Sequence, residues 1–381
     1  MSQLDLQKRS LNPENIYYDI VISNVLSQTK EPPHIYFNET RSTPFVNNSG
    51  DYYLSIIRFQ VDTNTLPVFI PEIQPRQGNA NQTIYSVTLE HDGIVKQAHI
   101  QWKPQNAYLA IPIPPNQTAT GFQSSETNYY YCYNYQWFIL LIEEAFDSAF
   151  QQLQMECPDL AHAHAPSLSW DVQNNIASFT AESAYYDKDE CSNPIKVYMN
   201  NPLYNLFSSF VTIRWGFNST LGRNHQLVIA NFNGNNTLEI PTVGDTSYTA
   251  TQVIQEYATT ISWTPVSSIV FCSNTLPIVS NQLSNPLLFS ENAQVYSLGG
   301  NSSNFAQIIT DLASNDGTPY KPNLLYTPTG ENRLIDMTGN VPLNNLDISV
   351  FWKSKLGTLI PMRLNSGGSC SLKILFTKKH I

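Results

Sequence analysis

Residues 51–62, DYYLSIIRFQVD, set Ile57, Phe59 and Val61 against Arg58, Gln60 and Asp62 in strict alternation. That two-residue period belongs to a strand with one face in a core, so the fold must supply a sheet and something for the sheet to pack on. The same signature returns near both ends of the sequence, in YYDIVISNV from Tyr17, SSIVFCS from Ser267, DISVFW from Asp347 and SLKILFTK from Ser371. IYSVTLEHDGIVKQAHIQW, from Ile84, adds two alternating runs around Asp92-Gly93, a hairpin dipeptide. Alternation predicts Ile57, Phe59, Val61, Ile374 and Phe376 as core.

The middle of the chain reads differently. QWFILLIEEAFDSAFQQL places Phe138, Ile142, Ala145, Phe146, Ala149 and Leu153 at helical spacing, with Asn134 as N-cap and Pro158 beyond the end. A hairpin around Asn174-Asn175 and a short helical segment, NPLYNLFSSF, follow. Two polar stretches, residues 111–128 and 232–249, read as linkers that bracket this region. Asn-Thr-Leu-Pro occurs twice, at 64–67 and 274–277, each time behind an alternating run, but nothing around the two copies repeats. The echo is one fold ending two strands alike, with proline stopping the ladder. Strands before and after the insert then close into one two-sheet sandwich. The expected division is residues 1–112 and 263–381 for the sandwich, and 113–262 for an inserted α+β domain with one long helix.

Charged residues make up 13% of the chain and aromatics 12%, a balance that suits strands and polar turns. No apolar run approaches the length of a membrane helix, and MSQLDLQKRSLNPEN offers no apolar signal segment, so a chain that neither spans a membrane nor enters the secretory route is expected. The five cysteines are scattered and odd in number, which predicts free thiols in a reducing compartment. The net charge is −10, yet no acidic residue follows Asp347. Six cations in that tail leave −16 on the rest. Either the tail faces something acidic, or its lysines guard an edge strand.

Catalytic signatures are missing: the sequence holds no Gly-rich phosphate loop and no His-Glu-x-x-His. Cys157 with His162 and His164 lacks a fourth metal ligand nearby. Asp187, Asp189 and Glu190 have calcium-like spacing without the glycine or distal glutamate of a helix-loop-helix site. Glu143 and Glu144 are helix neighbours that point apart and cannot flank one bond. The aromatic run NYYYCYNYQW has no interleaved basic residue of the sort that nucleic-acid platforms carry. No enzyme, cofactor or metal is expected. A binding or assembly module is, with a lectin-like, carbohydrate-binding β-sandwich as the alternative.

The ordered series YYDIVISN, IYFNETRSTPFVNNSGDYYLSIIRFQVDTNTLPVFIP, YYYCYNYQWFILLIEEAFDSAF, SIVFCSNTLPI, ENRLIDMTGNVPLNNLDISVFW and SLKILFTKK resembles the penton, or vertex minor capsid, proteins of virophages and related Polinton-like viruses. Residues 193–262 carry the least of the likeness. The resemblance implies an all-β dominated chain, a single jelly-roll β-sandwich with the inserted domain facing outward. It further implies a homopentamer at each five-fold vertex of an icosahedral virion, beside a double-jelly-roll major capsid protein and assembled in the host cytoplasm. If the basic tail points inward, Lys378 and Lys379, joined by Lys8 and Arg9, are the candidate contacts to packaged DNA.

Overall fold

A computed structural model describes residues 13–25, 32–63, 65–75, 78–117, 123–124, 127–214, 225–231, 236–242, 246–279, 287–289, 295–297, 307–312, 323–326, 333–355 and 357–380. The early strands are β1 (Asn15–Ser23), β2 (Tyr36–Thr40) and β3 (Tyr52–Asp62). The middle supplies β4 (Gln82–His91), β5 (Ile94–Gln101), the long helix α1 (Tyr135–Glu156), β6 (Ser167–Asp171), β7 (Ile176–Glu182), β8 (Lys196–Met199), β9 (Thr212–Arg214), β10 (His225–Leu227), β11 (Thr237–Thr242) and β12 (Thr246–Ile254). Then come β13 (Val266–Ser273), the small hairpin β14 (Leu287–Phe289) and β15 (Val295–Ser297), β16 (Gln307–Leu312), β17 (Asn323–Tyr326), β18 (Ile335–Asp336), β19 (Asn345–Ser354), β20 (Leu359–Pro361) and β21 (Ser369–Lys378). The chain divides into two compact units, one of described residues up to Leu66 and from Pro265 onward, the other Pro67–Thr264.

The first unit holds two five-stranded antiparallel sheets. One runs β1-β21-β3-β17, with β18 also on β3; the other runs β16-β13-β19-β2, with β20 also on β19. Their facing sides meet through Phe59 of β3 and Phe271 of β13, whose rings lie 4.9 Å apart edge to face. Phe59, Val61, Ile374 and Phe376 are fully buried, as alternation predicts. Ile57 is not: it is half-buried, and Ile56 takes the core position at 5% exposure. The β3–β21 register explains the exchange, because Ile374 faces Ile56 while Lys373 faces Arg58. Ile57 is the extra residue of a β-bulge, which shifts the phase of every side chain upstream by one.

Among the described residues, different hydrogen bonds lie behind the two Asn-Thr-Leu-Pro segments. Behind β13, the buried carboxylate of Asp347 accepts from Ser273 Oγ at 2.5 Å, Asn274 N at 2.9 Å, Thr275 N at 3.1 Å and the Thr275 hydroxyl. Behind β3, Leu66 N donates to Thr63 O at 2.9 Å and Thr65 Oγ1 to Arg363 O at 2.7 Å.

The second unit is built on α1. Asn134 Oδ1 accepts from Trp137 N at 2.9 Å, the predicted N-cap, and the six predicted apolar positions are all buried. Trp263, 2% exposed, collects Phe69, Phe207, Tyr135 and Phe138 at ring distances of 5.2–5.7 Å and donates from Nε1 to Leu206 O at 2.8 Å. The unit's two sheets run β5-β4-β8-β10-β9 and β11-β12-β7-β6. The first of them corrects the expected boundary at 112. The β4–β5 hairpin turns at Asp92-Gly93 with φ of 50° and 77°, but β4 pairs with β8 rather than with any sandwich strand. A period of two identifies a strand without saying whose sheet it joins. The stretch 232–249 is likewise no linker throughout: it supplies most of the β11–β12 hairpin.

Candidate assembly surfaces

The residue groups that might have carried chemistry are each engaged in local structure. Burial raises the Glu143 carboxyl, while Glu144 is paired with Lys103 at 2.6 Å, so the two acids serve different neighbours. Asp187 is fully buried, accepting from Asp189 N and Thr251 Oγ1, both at 2.8 Å; it caps a turn. His164 binds Glu182 through Nδ1 at 2.9 Å and stacks on Tyr248 at 4.2 Å. Among the described residues, the three ligand-type side chains that do converge are His91, Asp92 and Asp159. His91 Nε2 lies 2.7 Å from Asp159 and 3.9 Å from Asp92, and that bond holds the Asp159 carboxyl below its ordinary value. A metal on Nε2 would force the ring proton onto Nδ1, which is buried without a partner. Metal-bound imidazoles give that proton an acceptor. The group is a histidine–carboxylate hydrogen bond.

The tyrosine run is interior except for Tyr133, which is 40% exposed. Tyr129, Tyr130, Tyr131 and Tyr135 are 1–9% exposed, and the Tyr129 and Tyr130 hydroxyls donate to Asn81 and Ala80. Tyr129 meets Tyr130, Tyr131 meets Tyr133 and Tyr135 meets Trp263, all edge to face, so the rings of the buried tyrosines are spent on packing.

The basic tail is divided between both sheets, since β19 and β20 belong to one and β21 to the other. β21 lies between β1 and β3, so its lysines do not guard an edge. Lys379 is committed within the unit: its ammonium pairs with Asp336, donates to Met337 O at 2.7 Å and sits 5.2 Å above the Tyr53 ring. Lys378 is half-buried, and its backbone N donates to Glu14 O at 2.8 Å. Lys8 and Arg9 lie outside the described residues.

What the sequence reading missed is an edge. β1 pairs with β21 through nine consecutive residues without a bulge, and among the described strands nothing pairs with its other side. Tyr17 and Val21 are 60% and 65% exposed on one face. Ile16, Ile20 and Ile22, on the face toward the core, are only half-buried. The signal was present in NIYYDIVIS, which is apolar on both faces.

Beyond the end of β1, a cleft of about 280 Å³ opens between Ile22, Val25, His34, Tyr36 and Leu364.

The family described as Sputnik minor capsid protein V18/19 matches residues 16–378. Two Sputnik virophage proteins are related: uncharacterized protein V18, 36% identical over 143 residues (37% of this chain, 85% of its own length), and structural protein V19, 31% identical over 217 residues (56% and 95%). A chain of the 3.5 Å cryo-EM structure of the Sputnik virophage aligns at TM-score 0.83 and 29% identity, covering 97% of this chain and 99% of that one. The crystal structure of the mavirus penton protein aligns at TM-score 0.61 and 15% identity over 96% and 99%, a likeness of fold. Because the match runs from the second residue of β1 to the last residue of β21, this chain belongs to the Sputnik minor capsid protein family.

Proposed function

We propose that the chain is a vertex capsomer subunit, five copies of which close a ring at the five-fold positions of an icosahedral virion. The observation that carries this is the alignment along nearly the full chain with a component of the Sputnik virion. The mavirus penton protein supports it through fold. On this reading the first unit is a single jelly roll. Setting aside the small additions β14, β15, β18 and β20, eight described strands remain in the sandwich. Counted in chain order, they run 1-8-3-6 in one sheet and 2-7-4-5 in the other, the wrapping expected of a jelly roll. The segment Pro67–Thr264 is then an insertion between its third and fourth strands, carried on the outer side of the shell. The neighbours are copies of this chain and a double-jelly-roll major capsid protein. Lys378, with Lys8 and Arg9, is the proposed basic contact to packaged DNA; Lys379 contributes less because Asp336 already neutralises it.

Native mass measurement of the purified chain tests the ring directly, with a pentamer expected. Imaging of virions should place its density at the vertices. A chain that stays monomeric at high concentration and is absent from the vertices would overturn the reading.

A further inference from the structure

β1 has the composition of a central strand and, among the described strands, the position of an edge. Strands covered on both faces and both sides read as near-continuous apolar runs, whereas exposed edges are blunted by lysine, proline, bulges or short length. Asn15–Ser23 has none of these: nine residues, no proline, no lysine, and an unbroken register. Its one charge, Asp19, is neutralised by Arg58 at 2.6 Å. On one face Tyr17 and Val21 remain largely in water, and on the other Ile16, Ile20 and Ile22 are only half-buried.

We propose that the open side of β1 is the contact between successive copies of this chain, completed by an extended segment of a second copy that adds to the sheet as a further strand. Charge selects the occupant. Each copy carries −10, and along β1 Arg58 neutralises Asp19 while the Lys373 ammonium lies 5.5 Å from the Tyr17 ring, so an acidic second copy meets no net negative charge there, whereas a basic partner would find no unpaired carboxylate on the strand. Main-chain hydrogen bonds supply the affinity. The cleft between Ile22, His34 and Tyr36 takes one apolar side chain from the incoming segment and fixes its register. That segment is not β1 itself. Two β1 edges meeting head to head form an isologous pair that closes as a dimer, whereas a ring joins two different surfaces.

This rests on the ring reading above, and the test separates the two. Tyr17→Lys with Val21→Lys changes only exposed side chains and replaces apolar area on the open edge with two ammonium groups that docking would have to desolvate. The assembly midpoint, followed by mass against concentration, should rise about 100-fold with an unchanged circular dichroism spectrum. In the assembled wild-type chain, backbone amides of Asn15–Ser23 should exchange slowly, and they should exchange faster on dilution to monomer. That second readout stands if the double variant fails to fold. A wild-type ring that persists at the same midpoint in a folded double variant, or whose β1 amides gain no protection on assembly, overturns the β1 contact and leaves the ring standing. A wild-type chain that never associates overturns both.

Discussion

A single extra residue in β3 decides which isoleucine supports the core. Ile56→Ala should cost about 2–4 kcal/mol in denaturant unfolding, as for other buried aliphatics. Ile57→Ala, at the bulge, should cost less than half of that, and equal losses would mean that the register is not the one described. Periodicity made Phe59, Val61, Ile374 and Phe376 legible in the sequence. It failed at Ile57 because a bulge is a property of two strands, and only the partner's Lys373–Ile374 step reveals it. The thiols are a second residue-scale matter. Burial pushes Cys132, Cys272 and Cys370 up to about 12, and Cys157 is raised by burial and by the carboxylates around it. These four should stay protonated at pH 8 and be shielded from a thiol reagent, while Cys191, the partly exposed one, reacts in the native protein. Rapid native labelling of Cys272 would show that β13 opens.

At the scale of elements, what was legible is what is local. The long helix carries its start signal and its buried stripe within one segment, so Asn134→Ala should remove about 1 kcal/mol, read from the unfolding midpoint. No loss would mean that the cap is satisfied otherwise. Hairpin turns at Asp92-Gly93 and Asn174-Asn175 were equally readable, because left-handed backbone needs those residues: φ is positive at Asp92, Gly93 and Asn175. Sheet membership was not readable. β4 and β21 each look like ordinary half-buried strands, yet one belongs to the middle unit and the other lies between β1 and β3. The lysines of β21 suggested an edge for the same reason, since nothing in SLKILFTK tells which strands flank it. Nor did the sequence expose β1 as a candidate contact: its apolar faces say "covered", and only pairing shows that one side is open among the described strands.

For the whole molecule, the sandwich pairs its strands without using Pro67–Thr264. Replacing residues 67–264 with a flexible glycine–serine linker should therefore leave a β-rich protein that unfolds cooperatively. Loss of that transition would mean that the middle unit is needed to hold the sandwich strands in place. The middle unit is contiguous, whereas the sandwich joins residues more than three hundred positions apart, as in the pairing of Asn15 with Thr377. That pairing has a consequence for synthesis. The middle unit can collapse while its chain is still leaving the ribosome, but β1 must wait for β21, which is translated more than three hundred residues later. A nascent chain that stops before Ser369 lacks a central strand rather than a dispensable end, so β1 and β3 are left without their common neighbour. The sheet that carries β1 is thus completed only when β21 has been made, and until then β1 has no strand beside it among the described residues.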